Sequence, residues 1–189
     1  MKKLLLTPFL ISGLFIGLNL TSAAERPLIK NTAGYVLRPQ EIEIPDLKIK
    51  TEIEWVAEDT DGNMASPEDT NRVAWYMDGF LPGEKGNMVI AGHRDSKSGP
   101  AVFYELEKLD TGDTVKLKDI KGTVYVYRVT DEKVYSDENF PVKEIFGRSD
   151  RKKLNLITCK GSFDKSLQQY SHRVVVEAEL SYSYWSGFL

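Results

Sequence analysis

The chain has 189 residues, and its 28 aspartates and glutamates outnumber its 25 lysines and arginines, which gives a formal net charge of −3. This balance argues against a nucleic-acid-binding protein, because such proteins usually carry a basic domain or stripe. The single cysteine excludes an intramolecular disulfide and any zinc site built from several cysteines. Since there are also only two histidines, we expect no cofactor and no metal ion.

Residues 1–24 predict export from the cytoplasm. Lys2 and Lys3 precede an uncharged, largely apolar stretch over residues 4–24, and small residues stand just before Glu25. These features are typical of a secretory signal peptide. The stretch is also close to the ~20 residues that cross a bilayer as a helix, so a retained N-terminal membrane anchor stays open as an alternative. In both cases the lysines stay cytoplasmic and the rest of the chain is exported.

The remaining residues have the pattern of a mainly β protein. Residues 25–43 carry prolines and charges without a period and predict a linker or arm. Alternating apolar and polar residues predict a strand over 47–55. Further strands are predicted over 87–92, 114–118, 123–130, 154–159 and 173–180, with a short helix over 141–147 and a helical turn over 103–109. Many short strands with so little helix argue for a barrel or a sandwich.

Three reactive side chains stand at the ends of predicted strands. Cys159 ends one strand, His93 follows another, and Arg173 begins a third. A thiol becomes a strong nucleophile when a neighbouring histidine or cation favours its thiolate form. The histidine can then transfer protons, and the arginine can donate hydrogen bonds to the oxygen that becomes negative in a tetrahedral intermediate. These three side chains together are sufficient for acyl transfer.

Each of these residues also has an ordinary structural interpretation. In this interpretation Cys159 is a small buried hydrophobic residue, His93 is a surface histidine and Arg173 is a solvated charge. His172 is a rival base, but successive strand residues point to opposite faces, so His172 and Arg173 should not both enter one site. Asp95, two residues after His93, either orients the imidazole or caps a loop.

Three short segments resemble the signature segments of sortases, the cysteine transpeptidases that anchor surface proteins in Gram-positive bacteria. They are Asn-Met-Val-Ile-Ala-Gly-His at 87–93, Leu-Ile-Thr-Cys at 156–159 and Arg-Val-Val-Val at 173–176, and they occur in the family's order. Segments at 66–76, 82–84 and 103–106 are similar to the class D and class F branches. The resemblance extends over residues 42–180.

This resemblance implies a closed eight-stranded β-barrel over residues 44–182, with one or two short helices, followed by a C-terminal tail at 183–189. It also implies a groove for a sorting signal of the Leu-Pro-X-Thr-Gly kind. Cys159 would attack the carbonyl between Thr and Gly and form a thioester, His93 would be the general acid and base, and Arg173 would position the substrate or donate to the oxyanion. An amine from a cell-wall precursor or a pilin lysine would then resolve the thioester.

The resemblance also suggests which residues contact the bound signal. We expect these contacts from Thr158, Ile157 and Ala91. Asn155 departs from the family pattern, because many relatives carry threonine at the first position of Thr-Leu-x-Thr-Cys. We expect the hydrogen bonds beneath the nucleophile to differ from the family pattern at this position.

Two other functions are compatible with the same site. A cysteine endopeptidase would use water as the acceptor, and a non-catalytic exported β-barrel binding module would keep Cys159 buried. As a sortase, the protein would act outside the cytoplasm at the cell membrane or cell wall, either anchored by residues 1–24 or secreted after their removal. Its partners would be surface proteins with C-terminal sorting signals and an amine acceptor.

Overall fold

The computed structural model describes residues 37–164 and 169–187. The predicted leader over residues 1–24 lies outside the described residues, as do residues 25–36 of the predicted linker. Within the described part of the chain, no helix has the length and apolar character needed to cross a membrane.

Strands account for most of the described chain. They are β1 Pro39–Ile44, β2 Ile49–Val56, β3 Val73–Tyr76, β4 Gly86–Gly92, β5 Asp95–Ser96, β6 Gly99–Pro100, β7 Thr114–Asp119, β8 Thr123–Ser136, β9 Lys152–Asp164 and β10 Gln169–Trp185. One short α-helix, α1, spans Val142–Phe146, and single 3-10 turns lie at Pro45–Leu47, Leu106–Lys108 and Asp137–Asn139.

Eight of the strands form a closed barrel in the order β1-β2-β3-β4-β9-β10-β8-β7. The pairs β2–β3 and β4–β9 are parallel, and the other barrel pairs are antiparallel. Strands β5 and β6 form a small separate hairpin after β4. The prediction of a mainly β, closed eight-stranded barrel with very few short helices is therefore confirmed.

One face of each long strand fills the barrel interior. On β9 and β10 these inward residues are Leu154, Leu156, Val174 and Val176, all fully buried. Because successive side chains of a strand alternate between faces, the residues between them point outward. The two faces of β9 and β10 therefore have separate surroundings.

A second apolar cluster covers part of the outer face, beneath α1. Val89 of β4, Ile157 of β9 and Val175 of β10 form its floor, and Ile145 of α1 packs on them. Its partly buried members are Met64, Tyr76, Ala91, Tyr135, Phe140 and Phe146. We call these ten residues the outer-face cluster.

The barrel extends beyond two of the predicted boundaries. Strand β1 lies almost entirely within residues 25–43, which the sequence predicts as a linker, because Ile42 and Ile44 are fully buried between β2 and β7. At the other end, β10 continues to Trp185, inside the predicted tail over 183–189, because it pairs with β8 as far as Thr123. The predicted helical turn over 103–109 is only the 3-10 turn Leu106–Lys108.

Candidate active site

Cys159 and Arg173 are direct neighbours on two adjacent barrel strands. Cys159 of β9 is paired with Arg173 of β10, two positions beyond the pair of Ile157 and Val175. Directly paired residues present their side chains on the same face, and Ile157 and Val175 belong to the outer-face cluster. The thiol and the guanidinium therefore lie side by side at one end of that cluster.

His93 comes from the strand on the other side of β9. The parallel pairing of β4 with β9 reaches Ala91 opposite Ile157, and His93 follows Ala91 by two residues, as Cys159 follows Ile157. The three sequence-predicted residues therefore meet at the same end of three adjacent strands. The imidazole Nε2 lies 2.9 Å from the carbonyl oxygen of Pro67. Because a carbonyl only accepts, Nε2 carries the hydrogen and Nδ1 is the basic nitrogen.

Three acceptors hold the guanidinium of Arg173. Its Nη2 pairs with Asp137 Oδ1 at 2.9 Å, and its Nη1 donates to the backbone oxygens of Tyr170 at 3.0 Å and His172 at 3.2 Å. Asp137 begins the 3-10 turn that follows β8. A planar guanidinium fixed in this way beside the thiol can offer its remaining N–H groups to an oxygen that becomes negative.

Asp95 is bound by a tyrosine. The hydroxyl of Tyr170 donates to the Asp95 carboxylate and lies 2.7 Å from both of its oxygens. This hydrogen bond, with burial, raises the pKa of Tyr170 to about 12, so the phenol stays protonated at neutral pH. The contact joins the hairpin after His93 to the beginning of β10, three residues before Arg173.

The thiol of Cys159 is half-buried, and this burial raises its pKa above the ordinary value. The charge of Arg173 lowers the pKa, whereas the carboxylates of Asp137 and Asp95 raise it. The net shift is upward, so the resting thiol is protonated at neutral pH. A base must therefore remove this proton before the sulfur can act as a nucleophile.

The residues predicted to contact the sorting signal divide between the two faces of the sheet. Ala91 and Ile157 lie in the outer-face cluster and pair with each other. Each stands two residues before a proposed catalytic residue, His93 or Cys159. Thr158 points to the interior, is only 3% exposed, and donates its hydroxyl to the Gly92 carbonyl oxygen at 2.9 Å. Alternation turns this side chain away from the face of Cys159, and a contact of Thr158 with the bound peptide stays a prediction.

The rival base His172 lies away from the thiol. Its side chain is exposed, and its Nδ1 lies 2.7 Å from the hydroxyl of Ser171. By the alternation of strand side chains, we expect His172 and Arg173 on opposite faces of β10.

Charged side chains at the rim of the site are paired with one another. Glu107 bridges Arg94 at 3.7 Å and Lys160 at 2.6 Å, and these two cations directly follow His93 and Cys159 in the chain. Among the described residues, no group of three or more His, Cys, Asp or Glu side chains is arranged to hold a metal ion.

Sequence reasoning missed the partners of the site. Asp137 and Tyr170 hold Arg173 and Asp95, but neither stands in a motif that marks it as functional. Their only signal is position, since each lies at an end of a long strand. The aromatic side of the outer-face cluster also has no sequence signal: Tyr76 meets Phe146 from a distant part of the chain, and Tyr135 meets Phe140 across the turn after β8.

Comparison with known proteins identifies relatives of this barrel. A sortase C1 from Streptococcus agalactiae is 19% identical, with a TM-score of 0.59 over 76% of this chain and 67% of that chain. A sortase C-3 from Streptococcus pneumoniae is 21% identical, with a TM-score of 0.60 over 79% of this chain and 65% of that one. Sortase A from Listeria monocytogenes is 21% identical, with a TM-score of 0.58 over 79% of this chain and 90% of that one.

These likenesses show a shared fold. The chain spans about two thirds of the length of the two streptococcal structures. No curated protein matches the sequence. A family model for the sortase domain, however, matches residues 42–181, which is nearly the whole of the described barrel. This match and the closed eight-stranded barrel show that the chain belongs to the sortase family.

Proposed function

We propose that this protein is an exported cysteine transpeptidase that cleaves a sorting signal of the Leu-Pro-X-Thr-Gly kind and transfers the acyl group to an amine. The observation that carries the proposal is the direct pairing of Cys159 with Arg173, with His93 at the end of the neighbouring strand. Family membership supports the reaction class. We assign Cys159 as nucleophile, His93 as general acid and base, and Arg173 as oxyanion donor.

The first half of the reaction forms a thioester. His93 Nδ1 takes the proton of Cys159, and the sulfur attacks the carbonyl carbon of the Thr–Gly peptide bond. The carbonyl oxygen becomes negative and accepts hydrogen bonds from Arg173. The C–N bond then breaks, and the protonated imidazole gives its proton to the departing glycine amine.

The second half regenerates the thiol. An incoming amine attacks the thioester carbon while the neutral imidazole removes its proton. The C–S bond breaks, Cys159 recovers its proton from His93, and a new peptide bond remains. The raised pKa of Cys159 supports this assignment, because a thiol that is protonated at rest needs a base beside it.

The outer-face cluster is the surface on which we place the peptide. Its members Ala91, Ile157 and Val175 each stand two residues from His93, Cys159 and Arg173 along their strands. Such an apolar strip suits the leucine and proline of the signal, and it ends where the scissile bond must lie. The partners would be surface proteins with C-terminal signals, and the acceptor would be a cell-wall cross-bridge or a pilin lysine.

We place the protein at the outer side of the membrane or in the cell wall, on the basis of residues 1–24 and of family membership. The matched structures are of sortases C and A. Our assignment to a class D or class F branch therefore rests on the sequence segments over 66–76, 82–84 and 103–106. We favour a role in general wall anchoring, because the sequence shows no pilin-specific lid motif.

Mass spectrometry tests the proposal directly. The full chain is mixed with a Leu-Pro-X-Thr-Gly peptide and oligoglycine, with Cys159→Ala in parallel. We expect the unchanged chain to form a thioester adduct on Cys159 and a ligated peptide, and we expect neither product with Cys159→Ala. Cleavage without ligation would favour the endopeptidase, and neither adduct nor cleavage across a library of signal peptides would favour the binding module.

A further inference from the structure

Two buried asparagines join the barrel to α1, at the end of the outer-face cluster away from Cys159. Asn87 of β4 donates its Nδ2 to the Glu144 carbonyl oxygen at 2.6 Å. Asn155 of β9 donates its Nδ2 to the Ile145 carbonyl oxygen at 2.7 Å. The side chains belong to adjacent parallel strands, since Asn87 pairs with Lys153 and Asn155 with Val89. Asn155 is the residue that departs from the sortase sequence pattern.

These carbonyl groups are the ones a short helix cannot satisfy by itself. Helix α1 has five residues and ends at Phe146, so the partners four residues beyond Glu144 and Ile145 lie outside it. The two asparagines that make these bonds are 6% and 2% exposed. Hydrogen bonds made by such buried amide groups are costly to lose, because a buried polar group without its partner is destabilising.

Apolar packing alone fixes α1 weakly. Ile145 is its one buried side chain, whereas Val142 is 58% exposed. Beside the helix end lies a polar cavity of about 200 Å³, lined by Asn87, Asn155, Glu177 and the helix itself. On this side the two amide groups bind α1 to the barrel, together with the backbone bond from Asn87 N–H to the Gly147 carbonyl oxygen.

The position of α1 determines the shape of the outer-face cluster. Ile145 packs on the floor, and Phe146 meets Tyr76 edge-on at 5.5 Å between ring centroids. A shift of α1 would therefore change the surface that leads to Cys159.

We infer that Asn87 and Asn155 are positioning residues that fix α1 as a wall of the peptide site and so set the affinity for the sorting signal. This inference rests on the proposed function, because it names a determinant of the same site. The amides do not touch the thiol, so they act on peptide binding and leave the chemical step unchanged.

The test uses Asn155→Asp and Asn87→Asp in the full chain, since aspartate keeps the shape and removes the donor. Asn139→Asp is the matched control, because the exposed Asn139 lies shortly before α1 and donates to the Ser136 hydroxyl. We expect KM for the signal peptide to rise about ten-fold in each strand variant, with kcat and the pH dependence of thiol alkylation unchanged. Asn155→Leu, which also lacks the donor but carries no charge, repeats the test if an aspartate variant does not fold.

Amide hydrogen exchange of residues 142–147 provides a readout that needs no peptide. Faster exchange there in the strand variants, but not in Asn139→Asp, is the expected result. Unchanged exchange would overturn the anchoring role, and faster exchange with unchanged KM would overturn the role in peptide affinity. If the unchanged chain forms no thioester, the proposed function fails, while the exchange result still decides whether the asparagines hold α1.

Discussion

The Thr158 hydroxyl donates to the Gly92 carbonyl oxygen at 2.9 Å, immediately before the proposed nucleophile and the proposed base in their strands. Backbone pairing between β4 and β9 extends only to Ala91 and Ile157. This side-chain bond is therefore the link that continues the two strands toward Cys159 and His93. Its position suggests that Thr158 controls the separation of the two reacting groups.

Thr158→Val tests this link, because valine keeps the shape and removes the hydroxyl. We expect kcat for transpeptidation to fall about ten-fold with little change in KM, since small misplacements of reacting groups are costly. Thr130→Val is the control, because Thr130 makes a similar bond to the Glu177 carbonyl oxygen away from the site. Equal kinetics in the two variants would contradict the positioning role.

His93→Ala should lower kcat/KM by roughly 100-fold or more, because general acid and base catalysis is lost. His172→Ala provides the comparison, since its exposed imidazole lies on the other face of β10. Steady-state ligation assays on both variants decide which histidine is the general base. Loss of activity in His172→Ala with retention in His93→Ala would reverse the assignment of the base.

Arg173→Lys keeps the positive charge but removes the planar fork that now binds Asp137 and two backbone oxygens. We expect kcat to fall by roughly 100-fold, because one amine cannot keep these bonds and also donate to an oxyanion. Arg128→Lys is a suitable control, since Arg128 also binds a backbone oxygen, that of Gly112. Wild-type kcat in Arg173→Lys would show that charge alone is sufficient.

Asp137→Asn should lower the pKa of the Cys159 thiol. The Asp137 carboxylate is one of the charges that raise this pKa, and its removal also leaves the Arg173 charge uncompensated beside the sulfur. The pH dependence of thiol alkylation measures the change, and its midpoint should move to lower pH. Glu138 is the next residue and is exposed, so Glu138→Gln should leave the midpoint of thiol alkylation unchanged. A midpoint that moves upward in Asp137→Asn would contradict the proposed electrostatics.

Glu177 should make the stability of the barrel depend on pH in the acid range. Burial raises the pKa of this carboxyl, but hydrogen bonds from Lys133 at 2.7 Å and Lys153 at 2.8 Å outweigh it and lower the pKa below 4.5. A lowered pKa in the folded state means that the stabilisation is complete above about pH 4.5 and is lost as the pH falls through the folded-state pKa.

Thermal unfolding at a series of pH values tests this dependence. Glu177→Gln should be less stable than the unchanged protein by about 1–3 kcal/mol at pH 7, with the difference shrinking in acid. Glu179→Gln removes a carboxylate of the same strand that pairs with the exposed Arg151, and it should have a smaller effect. If the loss of stability caused by Glu177→Gln grew in acid, the lowered pKa of Glu177 would be contradicted.

Much of the fold was predictable because the signals are local. The alternation over residues 47–55 corresponds to β2, and the helix predicted over 141–147 corresponds to α1. Strand β3, Val73–Tyr76, was not predicted as a strand, since four residues are too few to show a period and its pairing is with distant β2 and β4. Strand β1 falls in the predicted linker because the prolines and charges over residues 25–43 show no period.

The candidate site divides in a similar way. Cys159, His93 and Arg173 were singled out from residue type, strand ends and family resemblance, and the barrel brings them to one end of three strands. The sequence does not mark Asp137 and Tyr170 as site residues, because an aspartate or tyrosine at a strand end has no distinctive signal. The direction of Thr158 was also missed, although the alternation that separates His172 from Arg173 applies to it equally.

The sequence by itself determined the mainly β character of this chain, the residue types available for acyl transfer and the membership of a family whose segments it carries. These depend on local period and on residue identity, which can be read without coordinates. Only the tertiary structure decided which carboxylates surround the thiol, which face Thr158 occupies and how Asn155 holds α1. Each of these depends on the register between strands far apart in the chain, and register is set by the packing of the whole barrel.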